Sequence, residues 1–280
     1  MSAAGDRAAI ARGNAVELYE LPGGRLLRAI SHHAAVNAVA FASAGHDLVS
    51  GSVDGSLLVT RDGRDPIALP TSPDGIDVAG FLADGRVVAA AGHRLRVYDA
   101  DRNAILTDLE APSRTMALRT SRDGRGLITI PHFTGTSAPP VLWGLEHYRI
   151  VTLLEGHVGR VFSARFVGDG LVTAGADRTV RLWNGTTGRL RQTFRADVSS
   201  GFLADATLSP DGSMVVAGGG DGLLWFWDMA DERPIWKLPA HRSHLIGLHF
   251  EGADLVAAGF AGAVSRWTLP NPDGAIGKIV

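Results

Sequence analysis

An aromatic residue at the end of a short alternating run recurs along this chain at a nearly constant interval. Tyr19, Tyr98, Trp143, Trp183, Trp227 and Trp267 fall in phase, with Thr60 at the one remaining position the phase requires; the spacings are 41, 38, 45, 40, 44 and 40 residues. Self-similarity at about 40 residues means an array of one supersecondary unit, each copy too small to bury its apolar face alone. The segments ahead of these positions alternate apolar and polar with period two, as strands do, and none sustains the three-and-four spacing of a helical solenoid. Seven units account for nearly all 280 residues, and no helix longer than about one or two turns is expected.

The unit at 155–184, EGHVGRVFSARFVGDGLVTAGADRTVRLWN, is the clearest copy. Its apolar runs at 161–166, 171–174 and 179–183 are β-branched or aromatic and closed by Gly-Asp-Gly, Ala-Asp-Arg and Asn-Gly turn signals. Residues 190–194 supply a fourth strand. Gly156-His157 in front, Asp177 in the second turn and Trp183 six residues later resemble the signature of a WD-repeat β-propeller blade, in which roughly 40 to 45 residues make four strands. With seven units, the resemblance implies an all-β, seven-bladed propeller of four-stranded antiparallel blades.

The other units depart from that signature in different places. The second has His32, runs at 36–41, 48–52 and 56–60, and Val53-Asp54-Gly55 as its hairpin turn. The third shortens that turn to Gly92-His93, and the fourth replaces it with an insertion at 131–140. The sixth ends in Trp227-Asp228, the single literal Trp-Asp pair, and the seventh has Ala261 where Asp is expected. At the start, 8–12, 15–19 and 25–30 read as strands without an evident innermost strand. Residues 1–280 are expected to form one domain, its ring closed by the N-terminal segment and 270–280, because an open propeller leaves edge strands unpaired.

The resemblance also implies a buried polar chain in each complete blade: a His before the first strand, a hydroxyl on the second, an Asp in the second turn and a Trp on the third. His157, Thr173, Asp177 and Trp183 fill all four places. His32, Ser50 and Asp54 fill three, with Thr60 for Trp; the sixth unit keeps Asp221 and Trp227, the seventh His241 and Trp267. Such a chain makes physical sense, since every buried polar group needs a partner. Imidazole, carboxylate and hydroxyl are also the parts of a nucleophilic triad. A triad occurs once, at a cleft, whereas this set recurs in partial form at the repeat period, so a structural staple is the better reading.

Composition narrows function further. A formal net charge of −2 without a basic run argues against nucleic acid. No apolar stretch approaches the roughly 18 to 20 residues of a spanning helix, and the N-terminal residues lack a secretory core. Cysteine is absent, which removes disulfides and thiol chemistry and makes the cytoplasm the expected location. His32-His33 lacks ligand spacing for a metal, the many Asp-Gly pairs lack the alternating carboxylates of calcium loops, and Gly218-Gly219-Gly220-Asp221-Gly222 precedes no helix, so no cofactor is expected.

The expected function is a non-catalytic scaffold, a monomeric disc docking a protein or peptide, by itself or as a module of a larger signalling protein. The alternative is a propeller enzyme of lactonase, quinoprotein or glycosidase type with a site at the central channel. On the resemblance, one face gathers Asn37, Arg114, His132, Phe133, Arg160, Arg178, Phe202, His244 and Phe260. Arginine and aromatics in that proportion suit a binding hot spot.

Overall fold

The computed structural model describes residues 1–2, 4–132, 138–197, 201–230, 232–268 and 277–279. All the regular structure among them is β, arranged as seven antiparallel meanders. Sheet 1 has three strands, Arg7–Arg12, Ala15–Glu20 and Arg25–Ser31. Sheets 2 to 7 have four each. Sheet 2 runs Val36–Phe41, Leu48–Ser52, Leu57–Thr60, Ile67–Leu69. Sheet 3 runs Val78–Phe81, Val87–Ala91, Arg94–Asp99, Ala104–Glu110. Sheet 4 runs Thr115–Thr120, Gly126–Pro131, Val141–Gly144, Arg149–Leu153.

Sheet 5 runs Val161–Val167, Gly170–Gly175, Thr179–Asn184, Leu190–Arg195. Sheet 6 runs Leu203–Leu208, Met214–Gly219, Leu223–Asp228, Pro234–Pro239. Sheet 7 runs Leu245–Glu251, Asp254–Gly259, Val264–Thr268, Gly277–Ile279. This is the sheet set of a seven-bladed β-propeller. The strand at Gly277–Ile279 pairs with Val264–Thr268 of its own sheet, and sheet 1 keeps three strands.

The chain divides into two compact units, Met1–His132 with Trp143–Ile150, and Phe133–Leu142 with Val151–Val280. In the first, Tyr98 of sheet 3 is fully buried with Val49, Leu57, Val59 and Leu69 of sheet 2. In the second, Trp227 of sheet 6 is buried with Val172, Val180, Leu182 and Phe194 of sheet 5, and Trp267 of sheet 7 with Val216, Leu224 and Phe226 of sheet 6. The periodic aromatic is thus the piece with which each of these sheets fills the face of the sheet before it. Trp225 joins the same packing, its ring stacked on Trp227 at 6.4 Å and its Nε1 donating to Asp221 at 3.3 Å.

Two features were not legible in the repeats. Five first strands carry a register shift against the second strand, which leaves Asn37, Met116, Phe162, Ala204 and Ile246 as the extra residue in each. A bulge re-aims the side chain it carries and leaves it out of the regular ladder. The second feature is an ion pair across the first strands of sheets 5, 6 and 7. Asp205, with 4% of its surface exposed, accepts the Leu248 amide at 2.8 Å and the Ala206 amide at 2.9 Å, and pairs with Arg165, whose Nη1 donates to the Leu248 carbonyl at 2.7 Å. A buried carboxylate is tolerated only with such a full set of partners. Asp205→Ala is expected to cost about 3 kcal/mol, because a guanidinium and a buried amide lose their acceptor together. Denaturant unfolding of parent and variant measures it; a loss within experimental error rejects the staple.

Candidate functional site

The polar chains of sheets 2 and 5 run from the loop before the first strand to the hairpin between the second and third. In sheet 5 the chain is complete. Trp183 Nε1 donates to Thr173 Oγ1 at 2.9 Å, Thr173 Oγ1 lies 2.7 Å from His157 Nε2, and His157 Nδ1 lies 2.9 Å from Asp177 Oδ1. One tautomer satisfies all three: with the ring proton on Nδ1 facing the carboxylate, Nε2 accepts the threonine hydroxyl, which in turn accepts from the indole. Asp177 further accepts the Thr179 hydroxyl at 2.8 Å, the Thr179 amide at 3.1 Å and the Val158 amide at 3.1 Å. Burial by itself would raise this carboxyl's pKa; the bonds from His157, Thr179 and Val158 outweigh it and hold the group well below the ordinary carboxylate range.

The histidine sits over backbone that must be bare. A Cβ on Gly175 would lie 2.9 Å from His157 Nδ1, and one on Gly259 would lie 3.1 Å from the ring of His241, so both strands end in glycine where the imidazole docks. Chemically the set has nothing to offer a substrate. Thr173 is fully buried, and both ring nitrogens of His157 are taken.

Sheet 2 departs from the expected chain at the carboxylate. His32 Nε2 lies 2.8 Å from Ser50 Oγ, but its Nδ1 meets Ser56 Oγ at 2.7 Å, and exposed Asp54 caps its own turn by accepting the Ser56 amide at 2.9 Å. Burial lowers the His32 pKa, which keeps the ring neutral between two hydroxyls. Ser56 and Thr179 are the residues that motif reasoning missed. The signal was present as a hydroxyl two positions after the turn aspartate, in Asp54-Gly55-Ser56 and Asp177-Arg178-Thr179.

The remaining sheets keep fragments. Trp143 Nε1 donates to Thr129 Oγ1 at 2.9 Å, and His241 Nε2 lies 3.3 Å from the Ala257 carbonyl. In sheet 6, Ala217 holds the register place of Thr173, two residues on from the partner of the tryptophan, and the buried Trp227 Nε1 has no acceptor.

The candidate face divides between the two units. In the first, Asn37 Nδ2 donates to the Ile76 carbonyl at 3.3 Å, Arg114 Nε donates to Asp77 at 3.0 Å, and exposed His132 donates its amide to the Arg114 carbonyl at 2.7 Å. Phe133 lies outside the described residues. In the second, four of the candidates fall into one row with Phe162, a bulge residue the sequence did not nominate. The Arg160 guanidinium lies 4.8 Å over the Phe162 ring, Phe162 stacks on Phe202 at 4.5 Å, Phe202 lies 6.1 Å from His244, and His244 lies 5.6 Å from Phe260.

The row crosses sheets 5, 6 and 7, and its Phe260 end is 71% exposed. Gly220 makes room for it: a Cβ there would stand 3.1 Å from the Phe202 ring. Arg178 is held in the left-handed region at φ 64° as part of its hairpin turn.

Comparison with known proteins follows this geometry. The family model described as WD domain, G-beta repeat matches residues 24–60, 148–184 and 188–228, so each matched stretch ends at or just past Thr60, Trp183 or Trp227. Small ribosomal subunit protein RACK1y of Oryza sativa subsp. japonica is 34% identical over 90 residues, 31% of this chain and 26% of that protein. Small ribosomal subunit protein RACK1 of Drosophila melanogaster is 33% identical over 88 residues, 30% of this chain and 27% of that one. Nuclear distribution protein nudF of Emericella nidulans (strain FGSC A4) is 29% identical over 103 residues, 36% of this chain and 23% of that one. The matched stretches thus span about a quarter of the relatives' length. Among solved structures, the computationally designed Ika8 protein superposes with a TM-score of 0.77 at 21% identity, over 94% of this chain and 80% of that one, a likeness of fold.

Two expectations about the polar chains follow. Asp177→Ala should destabilise by about 2 to 4 kcal/mol at neutral pH, since His157 and two amides lose their acceptor. The carboxyl titrates lower in the folded chain than in the unfolded one, so its contribution is complete above about pH 4 and falls away below it. The gap between parent and variant should therefore narrow on acidification, as thermal melts from pH 7 to pH 2 will show. In sheet 6, Ala217→Ser should stabilise by about 0.5 to 1 kcal/mol by giving Trp227 Nε1 an acceptor, readable as a raised denaturation midpoint.

With three stretches matched by the family's model, and Tyr98, Trp183, Trp227 and Trp267 paired alike with the second strands of their sheets, the chain carries WD repeats and is similar to the WD-repeat β-propellers.

Proposed function

We propose that the protein is a non-catalytic scaffold that docks a protein or peptide partner on the face where the loops before first strands meet the turns after second strands. The observation that carries this reading is the row Arg160, Phe162, Phe202, His244 and Phe260. Rings that support one another across three sheets are already ordered, so a partner settling on them loses little extra entropy. The row is also partly uncovered: Phe260 is 71% exposed, more than packing alone requires.

The relatives fit such a role by name, as proteins of the small ribosomal subunit and of nuclear distribution, and a cytoplasmic location goes with it. No helix among the described residues is long and apolar enough to cross a membrane. The imidazole, carboxylate and hydroxyl in sheet 5 are spent on one another beneath the surface, which favours a scaffold over an enzyme.

The test uses the intact chain as bait to identify a partner, followed by affinity measurement with the double variant Phe260→Ser, His244→Ala. Loss of at least about tenfold in affinity with an unchanged melting temperature is expected, in line with removal of a hot spot. Unchanged affinity by a folded variant removes this face.

A further inference from the structure

What sheet 1 lacks, among the described residues, is a first strand. Tyr19 faces Ala8 in the register by which Tyr98 faces Val87, Trp183 faces Leu171 and Trp227 faces Val215, so Arg7–Arg12 and Ala15–Glu20 stand where the other sheets have their second and third strands. The hairpins agree: the His32 amide donates to the Asn14 carbonyl at 2.7 Å, as the Ala111 amide donates to the His93 carbonyl at 2.7 Å in sheet 3. In sheets 2 to 7 the second strand lies between a first and a third. Among the described residues, Arg7–Arg12 pairs with Ala15–Glu20 alone.

The direction of its backbone groups follows from three hydrogen bonds. Asp6 turns its carbonyl toward the second strand of its hairpin, accepting the Leu21 amide at 2.7 Å. Arg7 turns the other way: its amide donates to Ser2 Oγ at 3.0 Å, and its carbonyl accepts the Ser2 amide at 2.9 Å. Along an antiparallel strand the same orientation recurs at every second residue, so Ala9 and Ala11 direct N–H and C=O to the edge that Ser2 caps at Arg7. Ile10, between them, is 42% exposed. Unpaired N–H and C=O groups in such a row are a template for an extended peptide.

Charge does not select the occupant, because Arg7 is paired with Asp62 at 2.9 Å and Arg12 with Glu17 at 3.3 Å. Shape does, and the six first strands of the other sheets show which side chains suit the place. Opposite the register equivalent of Ile10 they carry Val39, Ala79, Leu118, Ala164, Ala206 and Leu248, aliphatic throughout. Opposite the equivalent of Ala8, two residues further along, four of them carry Phe41, Phe81, Phe166 and Phe250.

We propose that the free edge of Arg7–Arg12 takes up an extended segment of a partner protein as the fourth strand of sheet 1. The segment runs antiparallel to Arg7–Arg12, bonds to Ala9 and Ala11, and carries an aliphatic residue followed two positions later by phenylalanine. The edge belongs to the first compact unit and the aromatic row to the second, so this site stands apart from the docking face proposed above.

The probe is the heptapeptide VFSARFV, the sequence of Val161–Val167, added to the intact protein while amide hydrogen exchange is followed by NMR. Saturable binding with a dissociation constant on the order of 0.1 mM is expected, with exchange at the Ala9 and Ala11 amides slowed at least about tenfold. The same peptide with proline in the place of Arg165, which would face Ala9, should not bind, since it has no N–H to give there. In the protein, Ala11→Pro removes an outward N–H and leaves the pairing with Ala15–Glu20 intact; it should keep the melting temperature and weaken the peptide at least about tenfold. If that variant does not fold, the two peptides still decide the matter. No saturable binding at millimolar peptide, equal binding of the proline peptide, or full affinity in folded Ala11→Pro would each overturn the proposal. So would slow exchange at Ala9 and Ala11 before peptide is added: if independent of protein concentration it means that the chain covers this edge itself, and if it grows with concentration, that a second copy does.

Discussion

The burial of a third-strand aromatic against the preceding sheet is the constraint on which this architecture depends. A four-stranded meander of forty residues exposes both faces and cannot bury enough to be stable by itself. Trp227 and Trp267 solve this by making each sheet the lid of its neighbour, so the stability of one repeat is a property of the pair. The polar chains operate within that frame. They secure the indole edge and the hairpin, and where a member is lost, as at Ala217, a buried donor goes unmatched and the packing still holds.

The part of the fold legible in the sequence was the part written in period and alternation. Spacing of the aromatics gave seven units, and the two-residue alternation placed the inner strands to within a residue or two, because both are set by side chains facing a core, whereas the outer strands Ile67–Leu69, Ala104–Glu110, Arg149–Leu153 and Pro234–Pro239 were not nominated. The bulges at Asn37, Met116, Phe162, Ala204 and Ile246 were illegible, since an extra residue in one strand leaves no compositional trace. The Arg165–Asp205 pair was hidden for another reason. Its partners lie 40 residues apart on first strands, where polar side chains read as solvent-facing.

At the candidate site the same division holds. His157, Thr173, Asp177 and Trp183 were readable as a set because the family's motif fixes their spacing, and the structure places them within bonding distance. Sheet 2 is where the motif misleads. Ser56 stands between His32 and Asp54, and a hydroxyl two residues after an aspartate looks in sequence like any turn residue. The aromatic row was half visible: Phe202, His244 and Phe260 were nominated within one face, but their link to Arg160 runs through Phe162, whose orientation follows from a bulge.

The repeated bulge has a consequence for how such a chain can change over time. A residue outside the ladder, at the same place in five sheets, can be exchanged without touching the aromatics that hold the sheets together. Asn, Met, Phe, Ala and Ile already occupy these five equivalent places, spanning amide, thioether, ring and aliphatic chemistry on one backbone geometry. The scaffold therefore separates what must be kept from what is free to drift, and new surfaces can be sampled one repeat at a time while the core sequence stays the same.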